Sequence, residues 1–402
     1  MTKFLYCAPP RYGHVVPMLA IVKEMIEQGA EITYFCTEQF AEAIQETGAT
    51  FKPYKTTLIE DAHMQNIAEL DFESSDPTVN ESFYVLPQLI EVARAEKADC
   101  LIYDDFCLWG RILAQILRLP AIIMLSSYAR NEQFNHFDYF RKRLQIDIPT
   151  IIATEDVRQS LVKLCETYKI EPFPFEDIFF HTEPLNLIRI PREFHPMGET
   201  FDEKRFKFVG STIRSHEDIG DFPLDRLSKE PVLFATLGTV FTEVSGMFDL
   251  FLSAFGHQSQ QLVIAIGKNI DPSVFGPLPE NVILHPHVPQ LTLLRHTDIF
   301  ISHGGLNGVM EALANGVPMI AIPQVGDQVA TAFRLQELKL GIMLDPSIVT
   351  VHTLRTAISI LKKDPAYRAN AQRMQKIVQQ LNGARDAARE ILDYSHSLFV
   401  NK

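Results

Sequence analysis

Ile301-Ser-His-Gly-Gly-Leu-Asn-Gly-Val-Met-Glu-Ala-Leu-Ala-Asn-Gly-Val-Pro318 is the stretch on which the fold turns. A strand closing over 300–302 runs into His303-Gly304-Gly305, a helix follows at once over 305–315, and another strand begins at 319. Strand, tight loop, helix and strand in that order predict a parallel sheet with crossover helices. Paired glycines let a backbone or ligand approach closely, and a helix N-terminus favours an anion. A phosphate there can take N–H bonds from Gly305 through Asn307, beside Gly308 and the His303 ring. Glu311, further along the helix, is placed to accept both hydroxyls of a ribose. The plain alternative is a tight turn whose histidine caps the helix, and spacing alone leaves both open.

Downstream, a strand over 319–322 leads into Gln324-Val-Gly-Asp327-Gln328 and a helix over 328–337. Asp327 and Gln328 suit adjacent sugar hydroxyls, or else are an N-cap and a solvated amide. Three helices follow over 351–362, 366–380 and 384–398. Upstream, strands over 231–236, 261–266 and 282–284 and a helix over 247–255 complete a second α/β layer. The segment 210–229 is polar and poor in apolar residues, so it reads as a linker.

The first half repeats the pattern. Strands are expected over 3–8, 30–35, 100–103, 121–125, 185–190 and 206–209. Helices are expected over 15–28, 38–47, 79–97, 106–117, 131–144 and 155–168, with Pro17 in a first turn and Thr37 as a cap. Residues 58–78 read as a long loop. Gly13-His14 follows the first strand, and Asp104-Asp105 closes a later strand of the same sheet. Ligands of open parallel sheets bind beyond the carboxyl ends of the strands, so two such domains facing each other give a cleft. His14 and an aspartate there can form a general-base pair, or His14 is merely structural.

At 402 residues the chain is too long for one core. It carries 50 acidic and 37 basic residues, net −13, with no basic run that would mark a nucleic-acid binder. A diphosphate is then held locally, by backbone N–H groups and helix ends. No apolar stretch is long enough to span a bilayer. Cys7, Cys36, Cys100, Cys107 and Cys165 lack metal-ligand spacing and read as buried thiols in a reducing, cytoplasmic setting. Serine-elbow, P-loop and paired-histidine zinc motifs are missing, and the loop Pro9-Pro-Arg-Tyr-Gly-His14 is not G-x-G-x-x-G, which weakens hydrolase, P-loop ATPase and standard dehydrogenase readings.

Together, 10–17, 101–110, 187–213, 231–241 and 287–328 resemble the nucleotide-sugar-dependent glycosyltransferases of family 1, bacterial macrolide and natural-product branch. The resemblance covers nearly the whole chain. It implies the GT-B fold, two facing Rossmann-like domains and a C-terminal crossover helix. The domains fall at 1–212 (acceptor-binding), 213–229 (linker), 230–382 (nucleotide-sugar-binding) and 383–402 (a helix packing back on the first domain).

The resemblance also implies roles. His14 matches the base that deprotonates the acceptor hydroxyl, and Asp104 the acid that orients it, with Asp105 one position away. Gly238 and Thr239 match the loop near the donor diphosphate. His287, Val288 and Gln290 match the motif at the nucleobase and ribose, with His287 where many relatives carry a stacking tryptophan. His303, Gly304, Gly305, Asn307 and Gly308 match the diphosphate loop, Glu311 the ribose ligand, and Asp327 and Gln328 the donor-sugar ligands. The implied chemistry is metal-independent inversion, moving a hexose, most simply glucose, from a UDP-sugar. The acceptor is a hydrophobic macrolide, polyketide or flavonoid, its pocket drawn from 56–83 and 134–180. Phe72, Phe83, Trp109, Phe134, Phe137, Tyr139 and Phe140 are candidate pocket rings or ordinary core. A sugar-nucleotide epimerase of similar fold, or a non-catalytic partner protein, are the competing expectations.

Overall fold

The computed structural model describes residues 2–58, 77–144, 154–212, 219–238, 245–268, 270–324 and 326–400. Thr239, Phe72, most of the 58–78 loop and the side chain of Phe137 lie outside the described residues. The chain divides into two compact units, Met1–Ile213 with Leu381–Lys402, and Arg214–Gln380.

The first unit runs β1 (Lys3–Cys7), α1 (Tyr12–Glu27), β2 (Glu31–Cys36), α2 (Ala41–Gln45), β3 (Thr50–Pro53), α3 (Pro77–Glu96), β4 (Cys100–Asp104), α4 (Leu108–Leu117) and β5 (Ala121–Leu125). It continues with α5 (His136–Leu144), α6 (Glu155–Tyr168), α7 (Asp177–Phe180), β6 (Leu185–Ile188) and β7 (Phe206–Phe208). Every strand pairing is parallel, in the order β3-β2-β1-β4-β5-β6-β7. The central strands are apolar on both faces because helices cover both. Phe4, Tyr6, Ile102 and Met124 share one core cluster with Val15 and Met18 of α1. On the other face α4 comes so close that a methyl on Gly110 would meet the Cβ of Tyr103 at 2.6 Å.

The second unit runs β8 (Val232–Thr236), α8 (Ser245–Phe255), β9 (Leu262–Ala265), β10 (Val282–His285), α9 (Gln290–Leu294), β11 (Thr297–Ser302) and α10 (Leu306–Ala314). It closes with β12 (Met319–Ala321), α11 (Gly326–Glu337), β13 (Gly341–Met343), α12 (Val351–Lys363) and α13 (Pro365–Gln380). Its sheet is parallel in the order β10-β9-β8-β11-β12-β13. The last helix, α14 (Gly383–Val400), belongs to the first unit. Its Ala387, Ala388, Ile391 and Leu392 join the α1 core cluster, and Glu390 pairs with Lys207 at 3.0 Å.

Some local expectations shift. Helix α1 starts at Tyr12 because the Arg11 carbonyl accepts from the His14 and Val15 N–H groups, at 3.0 and 2.9 Å. Pro17 therefore lies in the second turn, forgoing one backbone bond. Thr37 makes no side-chain cap, and the segment after it is a 3-10 turn, Glu38–Phe40, leading into the short α2. Residues 219–229 are anchored to the second unit: Phe222 is buried, and Gln261 bonds both the Ser228 N–H and the Arg226 carbonyl. The short β13, α7 and α9 are elements that hydropathy did not reveal.

Candidate active site

Each sheet reverses its winding direction once, between β1 and β4 in the first unit and between β8 and β11 in the second. At such switch points two loops diverge beyond the strand ends, leaving a crevice for a ligand. His14 and Asp104 lie at the first of these places, and Gly238, His303, Gly304 and Gly305 at the second.

At the first switch point, His14 sits in the first turn of α1 and Asp104 is the last residue of β4. The His14 Nδ1–H donates to both carboxylate oxygens of Asp104, at 3.0 and 2.9 Å. Asp104 has no exposed surface, and its Oδ1 also accepts the Phe106 N–H at 2.9 Å. With Nδ1 committed, the basic nitrogen of a neutral His14 is Nε2. The Phe106 ring stands edge-on to the imidazole at 5.0 Å and remains 40% exposed.

Asp105, the first residue past β4, turns instead toward Ser126. It accepts from the Ser126 N–H at 3.1 Å and hydroxyl at 3.2 Å. Burial, and then the Asp104 charge, pushes its carboxyl up to about 7. The pairing partner of His14 is thus Asp104. The donor atoms of His14, Asp104 and Asp105 all lie within 4.8 Å of one another.

At the second switch point, β8 ends and the chain turns through Gly238 at φ +85°. β11 ends at Ser302, and the chain turns through Gly304 at φ +82° before α10 begins. The His303 ring fills the space between these turns. A methyl on Gly238 would stand 2.8 Å from its Cε1, and one on Gly305 would overlap its Nε2. His303 is not a helix cap: Gly305 holds that position and supplies no side chain, which leaves the positive end of α10 open to an anion. The His303 Nδ1 is buried without a hydrogen-bond partner. Burial pushes the imidazole down to about 4, so it is neutral at pH 7.

Behind this turn, the Gln290 amide donates to Glu311 Oε2 at 2.5 Å, tying α9 to α10. Gly308 faces the same amide: a methyl there would lie 3.6 Å from Gln290 Nε2. His287 is exposed and Val288 buried, and the His287 carbonyl accepts from His285 Nδ1 at 2.5 Å. Asn307 lies in the first turn of α10. Asp327 is exposed in the first turn of α11 rather than capping it. Gln328 is buried, not solvated, and its Oε1 accepts the Gln324 N–H at 2.8 Å.

Among the proposed acceptor rings, Trp109, Phe134 and Phe140 are core, each at most 2% exposed. Phe83 and Tyr139 are partly exposed. Sequence reading missed Ser126, Phe106 and Gln324, which act through geometry. It also missed Arg189, whose signal was a charge inside the apolar run Leu185-Asn-Leu-Ile-Arg-Ile190.

Two parallel α/β units, an imidazole–carboxylate pair at one switch point and a glycine–histidine turn with an open helix end at the other define a nucleotide-sugar transferase of the GT-B class. Comparison with known proteins agrees. The profile of the UDP-glucoronosyl and UDP-glucosyl transferase family matches residues 227–381. The chain is 36% identical to NDP-glycosyltransferase YjiC of Bacillus licheniformis over 391 residues, 95% of each chain. It is 29% identical to the oleandomycin glycosyltransferase of Streptomyces antibioticus, covering 94% of this chain and 87% of that one. The crystal structure of the calicheamicin glycosyltransferase superposes with a TM-score of 0.82 at 30% identity, over 98% of both chains. The chain belongs to this glycosyltransferase family, in its bacterial natural-product branch, and transfers a sugar from a nucleotide sugar. No helix among the described residues is long and apolar enough to cross a membrane.

Proposed function

We propose that this protein moves a hexose, glucose in the simplest case, from a UDP-sugar to a hydroxyl of a hydrophobic small molecule, with inversion at the anomeric carbon and without a metal. The observation that carries the reading is the two-oxygen hydrogen bond from His14 to the fully buried Asp104. Such a bond fixes the tautomer, leaves Nε2 basic and stabilises the imidazolium that forms when the acceptor proton arrives. The acceptor oxygen attacks the anomeric carbon as the bond to the diphosphate breaks, and the proton passes to Nε2.

Negative charge then grows on the departing diphosphate. The open N-terminus of α10, the Gly304 and Gly305 N–H groups, Asn307 and the His303 imidazole are placed to meet it. Glu311 and Gln290 take the ribose, His287 and Val288 border the base, and Asp327 with the Gln328 amide takes sugar hydroxyls. A site equipped for hydroxyls discriminates against deoxysugars, which favours a hexose donor. The similarity to an oleandomycin glycosyltransferase supports a macrolide among the expected macrolide, polyketide and flavonoid acceptors. The half-exposed Phe106 beside His14 suits a flat apolar acceptor.

The test is competitive binding of UDP, dTDP and their sugars, followed by mass spectrometry of transfer to a panel of phenolic and macrolide acceptors. UDP-glucose should bind best and its hexose should appear on an acceptor hydroxyl. A clear preference for a dTDP-deoxysugar defeats the donor reading. Interconversion of the free nucleotide sugar without any acceptor defeats the transfer reading.

A further inference from the structure

Asp104 and Asp105 are consecutive carboxylates at the end of β4, and Asp104 has no exposed surface at all. Charge buried to that depth needs a compensating charge. His14 is the nearest partner. If His14 is the base, however, it is neutral before each turnover and cannot supply that charge. A cation that does not titrate must come from elsewhere in the fold.

Arg189 meets the requirement. It follows directly on β6 and is only 4% exposed. Asp104 pairs with Met124 on β5, and Met124 pairs with Leu187 on β6. Paired residues of parallel strands share a face, and side chains alternate along each strand. Arg189, two residues beyond Leu187, therefore lies on the Asp104 face. Burial lowers its pKa from the ordinary value, and the Asp104 carboxylate is the foremost charge opposing that shift. Guanidinium groups stay protonated across the working range of proteins.

We propose that Arg189 is a positioning residue for transfer: a permanent counter-charge that lets Asp104 remain a carboxylate while His14 stays neutral and ready to accept a proton. The proposal rests on His14 being the base. The other groups that face Asp104 are Tyr6 from β1, Tyr34 from β2, and Asp105 and Cys107 beside it. Burial holds Tyr6, Tyr34 and Cys107 well away from ionising. Asp105, pushed up to about 7, is the neighbour that titrates near neutrality. Without Arg189, the carboxylate is compensated by a proton on the imidazole, and the base is spent before the acceptor arrives.

The experiment compares the pH dependence of kcat in the full-length wild type, Arg189→Met, Arg189→Lys and His14→Ala, using UDP-glucose and a flavonol. Removing a buried positive charge in an effective dielectric of about 20 moves a neighbour's titration by about one pH unit. The acid limb of R189M should therefore move about one unit upward, with kcat about tenfold low at pH 6 and converging on wild type near pH 9. Donor KM should not change, and R189K should follow the wild type. The imidazole resonance of His14, assigned by its loss in H14A, should titrate higher in R189M by the same amount with no substrate present. Should R189M fail to fold, the comparison is made between Asp105→Asn and the double variant D105N/R189M, which removes one charge of each sign. A folded variant with an unmoved acid limb and an unmoved resonance overturns the proposal, whether or not kcat falls uniformly. Full activity in H14A overturns the base reading itself, whatever R189M does.

Discussion

Gly238 leaves the space that the His303 ring occupies: a methyl group at position 238 would lie 2.8 Å from His303 Cε1. The glycine also holds φ at +85°, a conformation that L side chains rarely adopt. One residue thus serves both the turn after β8 and the seat of a histidine that follows β11.

Gly238→Ala should displace His303 and weaken UDP binding while the fold survives. A hydrogen bond to a charged group is worth about 1.5–3 kcal/mol, so the loss should be roughly 10- to 100-fold. His303→Ala should give a loss of the same order, and the double variant little more. Calorimetric titration of UDP reads this. Additive losses would mean that Gly238 acts on the donor separately from His303.

His14→Ala should remove nearly all transfer, by about 10²- to 10⁴-fold, with UDP affinity unchanged because the loop proposed to hold the diphosphate lies in the other unit. Asp104→Asn should cost less but still heavily, since the imidazole loses its charged partner. A phenolic acceptor ionises more readily than an alkyl alcohol, so its kcat should fall less. Equal losses with both acceptors, together with a lowered Tm, would instead give His14 a structural role.

Chelation should leave transfer unchanged. His14, Asp104 and Asp105 have the proximity that could hold a cation, but the His14 Nδ1 is already committed to Asp104 and the Asp105 carboxylate to Ser126. The check is kcat after extended dialysis against EDTA, with and without added Mg²⁺ or Mn²⁺. A loss that either ion restores would require a metal in the mechanism.

Acid should destabilise the protein through its buried histidines. Burial holds His303 and His136 at about 4, below the ordinary 6.5. The unfolded chain therefore binds more protons than the folded one between those values, and stability falls as pH falls through that window. At about 1.4 kcal/mol per unit, each contributes up to about 3 kcal/mol of loss by pH 4. Tm measured from pH 7 to pH 4 should show a flatter decline in His303→Asn than in the wild type. Parallel curves would count against the assignment.

Truncation after Gln380 should destabilise the first unit. It removes Ile391 and Leu392 from the core cluster around α1, worth roughly 1.5–3 kcal/mol each when fully buried. Thermal unfolding and solubility of the truncated chain test this. Unchanged melting would mean that α14 only lies on the surface.

The sequence by itself determined the succession of elements and the chemistry at their joints. Apolar runs, glycines at strand ends and amphipathic helices are local signals, and a strand followed at once by a helix leaves little choice but a parallel sheet. His303, Gly304 and Gly305 were readable for the same reason, since the turn and the helix N-terminus are contiguous in the chain. Tertiary structure decided what depends on strand order and on which face a side chain takes. Asp104 and Asp105 are chemically alike and adjacent, and only the face covered by α1 selects Asp104 for His14. Gly238 and His303 meet because β8 and β11 are neighbours in the sheet, a pairing between segments far apart in the chain. Sequence reading expected Gln328 either to bind sugar hydroxyls or to lie solvated, and the structure buries it with its oxygen accepting the Gln324 N–H. Arg189 lies two strands from Asp104, beyond the reach of any local pattern, because a buried charge finds its partner only once the sheet has formed.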